Sequence, residues 1–441
     1  MSRRRTRAPR GPRLRRLLTH RVSRTAGNLY VVQGAALLVP LVTLPYLTRT
    51  LSHANLGLLL FAQAYASLAT AFLQFGFDTA TVRDVARTGD DRAAMRGLAT
   101  GVVSAQVVLA GLIGVVSLAL GVAIPLFREN PEYLAAAWGL SVAQGATPLW
   151  FFLGRQRLGA LTALDLGGKV VAVAAIFALV HQDDQGIRVL LIQTATTSAA
   201  VVGTLVLLHR HTSFSRPRLA LAAAALRANL QLALYRTSTT VGAFLPTLLI
   251  GLLAVPAQIG YYGVAEKLQK APVTVLWPLS QALYPSINRT LGTNPLRARR
   301  VVRWSALLFV GLGLGMGLGL FAFAPWLIPL VFGPGYDSAV PVFRVLALSI
   351  PFALGAHVFA YQVLMPLRQD RVLNVVSWLA FAVRLLLAIP LTAAYGAVGL
   401  AWAVLIAAIA NAAAIGVASA RSAGFHRNVV SAEAEQAVSA P

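Results

Sequence analysis

The stretch Gly260 to Ile287, GYYGVAEKLQKAPVTVLWPLSQALYPSI, reads as a membrane-spanning helix, yet it carries Glu266, Lys267 and Lys270 well inside it. A charge at the bilayer centre costs about 2.5 to 3.5 kcal/mol even on lenient insertion scales, so this helix cannot turn those groups to lipid. Glu266 and Lys270, spaced i and i+4, share a face and can pair, while Lys267 sits about 100° round. Counting inward at ~1.5 Å per residue puts the trio roughly 12 to 18 Å deep, beyond comfortable reach of the headgroups. The pattern points to an anion site open to a wet cavity between helices. The plainer alternative is a helix-locking ion pair with Lys267 snorkelling.

The rest of the chain supplies a wall for such a cavity. Of its 441 residues 57% are hydrophobic and only 12% charged, and apolar runs of membrane-crossing length recur from end to end. A soluble protein of this length would carry about twice that charged fraction. The formal net charge of +24 does not mean nucleic acid, because 35 of the 38 basic residues are Arg and most stand at the ends of apolar segments, where topology and anionic lipid explain them. The absence of cysteine removes disulfides, thiolate metal sites and Cys nucleophiles.

Apolar segments fall at 27–47, 55–77, 97–124, 133–154, 159–180 and 188–208, then at 231–255, 258–287, 304–332, 338–366, 372–392 and 396–420. Twelve spans predict an all-α polytopic membrane protein with both termini on one side. With the amino terminus inside, the inner segments hold 30 basic residues, Lys169 counted among them, and the outer turns only Arg49, Arg128 and Arg188. That bias supports the count and a cytoplasmic placement of both termini. The expected organisation is a basic cytoplasmic arm over 1–26, a six-helix bundle over 27–208, a linker over 209–230, a second six-helix bundle over 231–420 and a disordered cytoplasmic tail over 421–441. The arm is expected to touch anionic membrane lipids. Within the linker, Leu219 to Leu230 has the composition of an interfacial helix.

The two halves resemble each other weakly. Ala26-Gly27-Asn28-Leu29 opens the first span and Arg227-Ala228-Asn229-Leu230 the seventh, each followed by a short turn and a glycine, Gly57 and Gly260. Aligning those glycines sets Gln63 opposite Glu266. Such a repeat is parallel and puts the binding site between the bundles.

Other candidate cavity cations are Arg384, about twelve residues into the eleventh span, Arg344 near the outer end of the tenth, Arg236 about two turns into the seventh and Arg49 at the outer end of the first. Gly311, Gly315 and Gly319 form a small-xxx-small pattern for close helix packing. Pro40 and Pro45 in the first span, Pro148 in the fourth, Pro246 in the seventh, Pro272, Pro278 and Pro285 in the eighth and Pro351 in the tenth break backbone hydrogen bonds within helices, as cavity-lining breaks or as static kinks set by packing. His209 and His211 lack further ligands nearby. The outer loops are too short to build a nucleophile, base and acid set, so no enzyme is expected. No cofactor is expected beyond a coupling proton or sodium ion.

Several motifs carry a family resemblance: Leu44-Pro45-Tyr46-Leu47-Thr48-Arg49-Thr50-Leu51, Gln74-Phe75-Gly76-Phe77-Asp78 with Arg83-Asp84-Val85-Ala86, Thr147-Pro148-Leu149-Trp150-Phe151-Phe152, Gly260-Tyr261-Tyr262-Gly263 with Ala265-Glu266-Lys267, and Leu279-Ser280-Gln281-Ala282-Leu283-Tyr284-Pro285. In this order they resemble the bacterial polysaccharide-biosynthesis flippases, the O-antigen and oligosaccharide transporters of the multidrug and oligosaccharidyl-lipid exporter superfamily. The resemblance implies a V-shaped pair of bundles in the bacterial cytoplasmic membrane that moves a polyprenyl-pyrophosphate-linked oligosaccharide from the inner to the outer leaflet by alternating access. It strengthens Arg49, Lys267 and Lys270 as cavity cations, makes Arg83, with Asp78, a candidate for gating or topology, and implies a polysaccharide polymerase and glycosyltransferases as partners, while the charges themselves make Glu266 a candidate coupling switch through proton or ion exchange with Lys270. The rivals are a drug exporter of the same superfamily, which needs a net acidic cavity, and a polyprenyl-linked glycan polymerase or ligase, which needs a sizeable outer loop.

Overall fold

The computed structural model describes residues 34, 38–89, 91–291, 295–367 and 369–439, without the side chains of 80, 231–232, 234–243, 275, 277–291, 295–299, 370 and 423–439. The basic arm and the start of the first span lie outside the described residues.

Helix α1 (38–50) is followed by α2 (His53–Gln74), α3 (Phe77–Thr88), α4 (Arg92–Ala123), the short α5 (Pro125–Glu129), α6 (Pro131–Gly145), α7 (Leu149–Gly154), α8 (Gly159–Leu179) and α9 (Gly186–Thr212). After Ser213 come α10 (Leu219–Leu253), α11 (Pro256–Leu291), α12 (Pro295–Phe332), α13 (Ala339–Ala347), α14 (Ile350–Phe359) and α15 (Asp370–Ser439). Backbone at Gly396, with φ 57° and ψ −134°, divides α15 into two passes. The chain thus crosses six times before Ser213 and six times after it. Among the described residues seven helices are long and apolar enough to cross a membrane. Leu112, Val115, Leu118 and Val122 on α4 and Trp326 and Leu330 on α12 lie exposed on the outside, as lipid-facing side chains do.

Local chemistry accounts for the breaks. The fourth pass stops at Ala146 and resumes beyond Pro148, and the tenth is interrupted at Leu348–Ser349 just before Pro351; in each case proline lacks the N–H that would continue the ladder. Helix α2 ends where Phe75 (φ 42°) and Gly76 (φ 74°) turn left-handed, so Asp78 and Arg83 belong to a separate helix, α3, rather than to the second span.

Several expectations change. Leu219 to Leu230 is no separate interfacial helix but the start of the continuous α10, because Ala and Leu favour helix and no breaker separates them from the span. Helix α15 extends to Ser439. On α12 the close-packing glycines are Gly313, whose added Cβ would meet Pro351 Cα at 2.8 Å, and Gly317, which would meet the Ala347 carbonyl oxygen at 2.9 Å. Gly311, Gly315 and Gly319 face open space instead, since glycines two residues apart project on nearly opposite helix faces.

The loops rich in Arg gather at one end of the molecule, called the basic end here, opposite the far end formed by the turns at Ser52, Asp183, Ala254, Gly333 and Gly396. At the far end both halves share one apolar core, in which Leu47 and Leu56 join Tyr262, Phe332, Tyr336 and Leu400. Towards the basic end the described cores are separate. Leu73, Trp150 and Leu208 form one with Ala222 of α10, whereas Phe309, Ile350 and Leu354, and Leu364, Leu373 and Ile415, form others. The two lobes are therefore joined through one core at the far end, while at the basic end the start of α10 packs on the first lobe.

Where the lobes join, α2 and α11 cross at backbone contact. A Cβ on Gly57 would stand 2.0 Å from the Pro256 carbonyl oxygen, and one on Gly260 2.7 Å from that of His53. These are the two glycines that mark the repeat. The His53 ring lies over this crossing against Tyr261 and Tyr336, with centroids 5.2 and 4.6 Å away.

Candidate functional site

Helix α11 brings its charges to mid-depth. Lys267 is eleven residues from Pro256, about 16 Å from the far end at ~1.5 Å per residue. Lys270 Nζ donates to Glu266 Oε1 at 2.8 Å, and Thr247 Oγ1 of α10 donates to Glu266 Oε2 at 3.1 Å. The carboxylate is largely enclosed, with 12% of its side chain exposed, whereas the Lys270 side chain is 47% exposed and its Nζ sits 6.0 Å from the centre of the Phe244 ring. Arg384 of α15 interacts electrostatically with the same Glu266 and with Tyr262, buried one turn before it. Lys267, the next residue, interacts electrostatically with the same carboxylate, so three cations lie near one carboxylate, for a formal cluster charge of +2.

Lys267 and Lys270 line a groove of about 140 Å³ between the lobes, whose walls include Pro40, Leu44 and Pro45 of α1 and Val331 and Phe332 of α12. Apolar walls leave the ammonium groups as its charged features, an arrangement that binds an anion attached to something apolar.

The other expected cations are placed differently. Arg49 Nη2 donates to the Leu330 carbonyl at 3.0 Å, at the end of α12, and its side chain lies beside Gly333. It ties the lobes together at the far end and is not among the groove-lining residues. Arg344 Nε donates to the Phe321 carbonyl at 3.3 Å and its guanidinium stacks 5.2 Å from that ring, which fixes it to α12. Arg83 is exposed on α3, and Asp78 opens the same helix. Arg236 lies on α10 with its side chain outside the described residues.

In the first lobe the position matching Glu266 is neutral: Gln63 Nε2 donates to Gln193 Oε1 of α9 at 3.1 Å. That lobe nonetheless holds an ion pair that sequence reasoning missed. Lys169 Nζ donates to Asp165 Oδ2 at 2.6 Å, both on α8. Lys169, counted with the inner segments, is ten residues from either end of that helix and so sits mid-span. The signal was present in the sequence: an acid and a base four apart inside one apolar run, where each offsets the other's charge. At the far end, Asp183 accepts from the Ser52 backbone N–H at 2.5 Å and from Asn55 Nδ2 at 2.8 Å. Partial burial works against its charge, yet these donors outweigh it and hold the carboxyl below its ordinary range. No group of three or more metal-ligating side chains occurs among the described residues.

Comparison with known proteins places this arrangement. The family model described as "Polysaccharide biosynthesis protein" matches residues 23–291. A curated protein of Escherichia coli (strain K12) named "Putative O-antigen transporter" is 24% identical over 383 residues, covering 85% of this chain and 90% of its own. One of the same name from Shigella dysenteriae is 23% identical over 389 residues, covering 86% and 94%. Among solved structures, an inward-facing multidrug resistance MATE family transporter of the MOP superfamily superposes with TM-score 0.63 at 12% identity over 89% of this chain and 99% of that one. The lipid II flippase MurJ in an inward closed conformation gives 0.54 at 10% identity, over 82% and 84%. At such identities these structures speak for the fold, a two-lobed bundle of helices.

Proposed function

Because the chain belongs to the polysaccharide biosynthesis protein family, we propose that it is a flippase, which carries a polyprenyl-pyrophosphate-linked oligosaccharide from the inner to the outer leaflet of a bacterial cytoplasmic membrane. The observation that carries this reading is the +2 cluster of Glu266, Lys267, Lys270 and Arg384 beside an apolar-walled groove between the lobes. A pyrophosphate joined to lipid on one side and sugar on the other bears one negative charge on each phosphate, which the cluster balances. At an effective dielectric of about 20 a charge pair ~4 Å apart is worth roughly 4 kcal/mol, so a few cations hold the headgroup without reading the sugars.

In this reading the basic end and both termini are cytoplasmic, as the positive-inside bias favours. Lobes sealed against each other at the far end then correspond to the inward-open state that receives substrate. Rocking of the lobes exposes the cluster to the other side, and a coupling proton or sodium ion acts at Glu266 by changing its hold on Lys270 and Arg384. Glycosyltransferases supply the substrate and a polymerase consumes the product. The two curated relatives, both named as transporters, and the short loops of the far end favour transport over catalysis.

The test is Lys267→Ala at normal protein level. Lipid-linked oligosaccharide should accumulate on the inner leaflet and surface polysaccharide fall about thirtyfold or more, the low end of what loss of one partner in a buried charge contact costs. Unchanged surface polysaccharide would overturn capture by this cluster. A drug exporter would instead show altered drug sensitivity with polysaccharide intact.

A further inference from the structure

Helix α8 has one face that meets the protein and one that meets lipid. Leu161, Thr162, Ala172 and Ile176 are buried, whereas Leu166, Val170, Val171 and Phe177 are exposed. At 100° per residue, Asp165 and Lys169 fall in the middle of the buried arc. They also flank Gly168, whose added Cβ would come within 3.2 Å of the Thr196 carbonyl oxygen on α9. Side chains on that arc would ordinarily be covered, yet those of Lys169 and Asp165 remain 27% and 34% exposed. The pair thus lies on the protein-facing arc of α8 yet stays partly open, away from the arc that meets lipid, which solvates such a pair poorly.

Depth aligns it with the other polar groups. Lys169 is ten residues from the far end of α8 and Gln63 ten from the far end of α2, against eleven for Lys267 on α11. Gln63 is bonded to Gln193, one turn from Thr196 on α9. At one level of the membrane, the first lobe thus offers a neutralised ion pair and an amide pair, while the second offers net positive charge.

We propose that Asp165 and Lys169, with Gln63 and Gln193 at the same depth, form the glycan subsite of this protein. They bond sugar hydroxyls in the first lobe while the α11 cations hold the pyrophosphate in the second. This inference rests on the flippase reading. A carboxylate already balanced by its own lysine has little field left to draw a second cation, but it accepts from hydroxyls while the ammonium donates to them, the pairing a neutral polyol needs.

The test uses full-length protein in lipid nanodiscs and two probes: undecaprenyl pyrophosphate, and the undecaprenyl-pyrophosphate-linked oligosaccharide extracted from the host. Asp165→Asn and Lys169→Met should each weaken binding of the glycolipid about tenfold and leave bare undecaprenyl pyrophosphate unchanged, whereas Lys267→Ala weakens both. The exchange variant Asp165→Lys with Lys169→Asp, which keeps the pair, should recover part of the glycolipid affinity and guards against simple misfolding. Equal losses for both probes, or glycolipid affinity untouched, would overturn the subsite. So would a changed pH or sodium dependence of transport with glycolipid affinity intact, since the pair would then be an ion-coupling station. If the natural protein bound neither probe, the flippase reading itself would fail and take the subsite with it.

Discussion

Helices α2 and α11 hold matching places in the two lobes, cross one another at matching glycines and yet carry opposite kinds of chemistry. On α2 the mid-depth residue is Gln63, bonded to a second amide. On α11 it is Glu266, bonded to Lys270 and Thr247 and facing Arg384. The repeat has kept the residue that shape demands and varied the one that charge allows. Backbone contact at Gly57 and Gly260 tolerates no side chain, but a glutamine and a glutamate fill almost the same volume. A duplicated scaffold can therefore concentrate net charge in one lobe without altering how the lobes meet.

The comparison breaks hardest at the crossing. Gly57→Leu must push its Cβ out of a 2.0 Å contact with backbone, and Gly260→Leu out of one at 2.7 Å. Overpacking of this kind costs about 1–3 kcal/mol, occasionally more. Both variants should melt at lower temperature and lose transport, Gly57→Leu more severely; equal stability of the two with the natural protein would mean that the lobes do not seal here. A smaller effect is expected from Glu266→Gln, which gives α11 the same side chain that α2 carries at the matching position. Removing the only carboxylate among these groups raises the cluster charge by one unit, so undecaprenyl pyrophosphate should bind about three- to tenfold tighter while turnover falls because release is slower. Faster turnover would show that Glu266 holds the cations back rather than helping them let go.

How far the sequence carries such an argument depends on the range of the forces involved. The membrane passes were legible because each depends on a local run of apolar residues, and the Glu266–Lys270 pair because i and i+4 contact is a property of one helix. Lys169 is legible too, because Asp165 stands four residues before it in one apolar run, although a count of basic residues by segment hides the pair. Arg49 and Arg344 were not legible. Each is satisfied by a carbonyl of α12, at Leu330 and Phe321, and no spacing within α1 or α13 reveals that neighbour. The packing of Gly313 and Gly317 over the more regular-looking Gly311, Gly315 and Gly319 likewise depends on which face α14 covers.

The smallest expected effect lies at the far end, where the asymmetry reverses. In the first lobe the turn before α9 clamps the start of α2 through a charged group, Asp183, which accepts from Ser52 and Asn55. In the second, the start of α11 grips the turn at Gly396 through a neutral one: Gln258 Oε1 accepts from the Ala397 N–H at 3.0 Å. Only the first clamp should respond to acid. Asp183 is held below its ordinary value of 3.8, so its contribution is complete above that value and is lost as pH falls through the lower folded value. Asp183→Asn should lower the melting temperature by about 1–2 °C at neutral pH, in line with loss of one exposed helix cap, and the difference from the natural protein should vanish in strong acid. Gln258→Ala should produce a comparable shift that does not change with pH. A pH-independent effect of Asp183→Asn would mean that the clamp works by shape rather than by charge, and the two lobes would then be alike at this end after all.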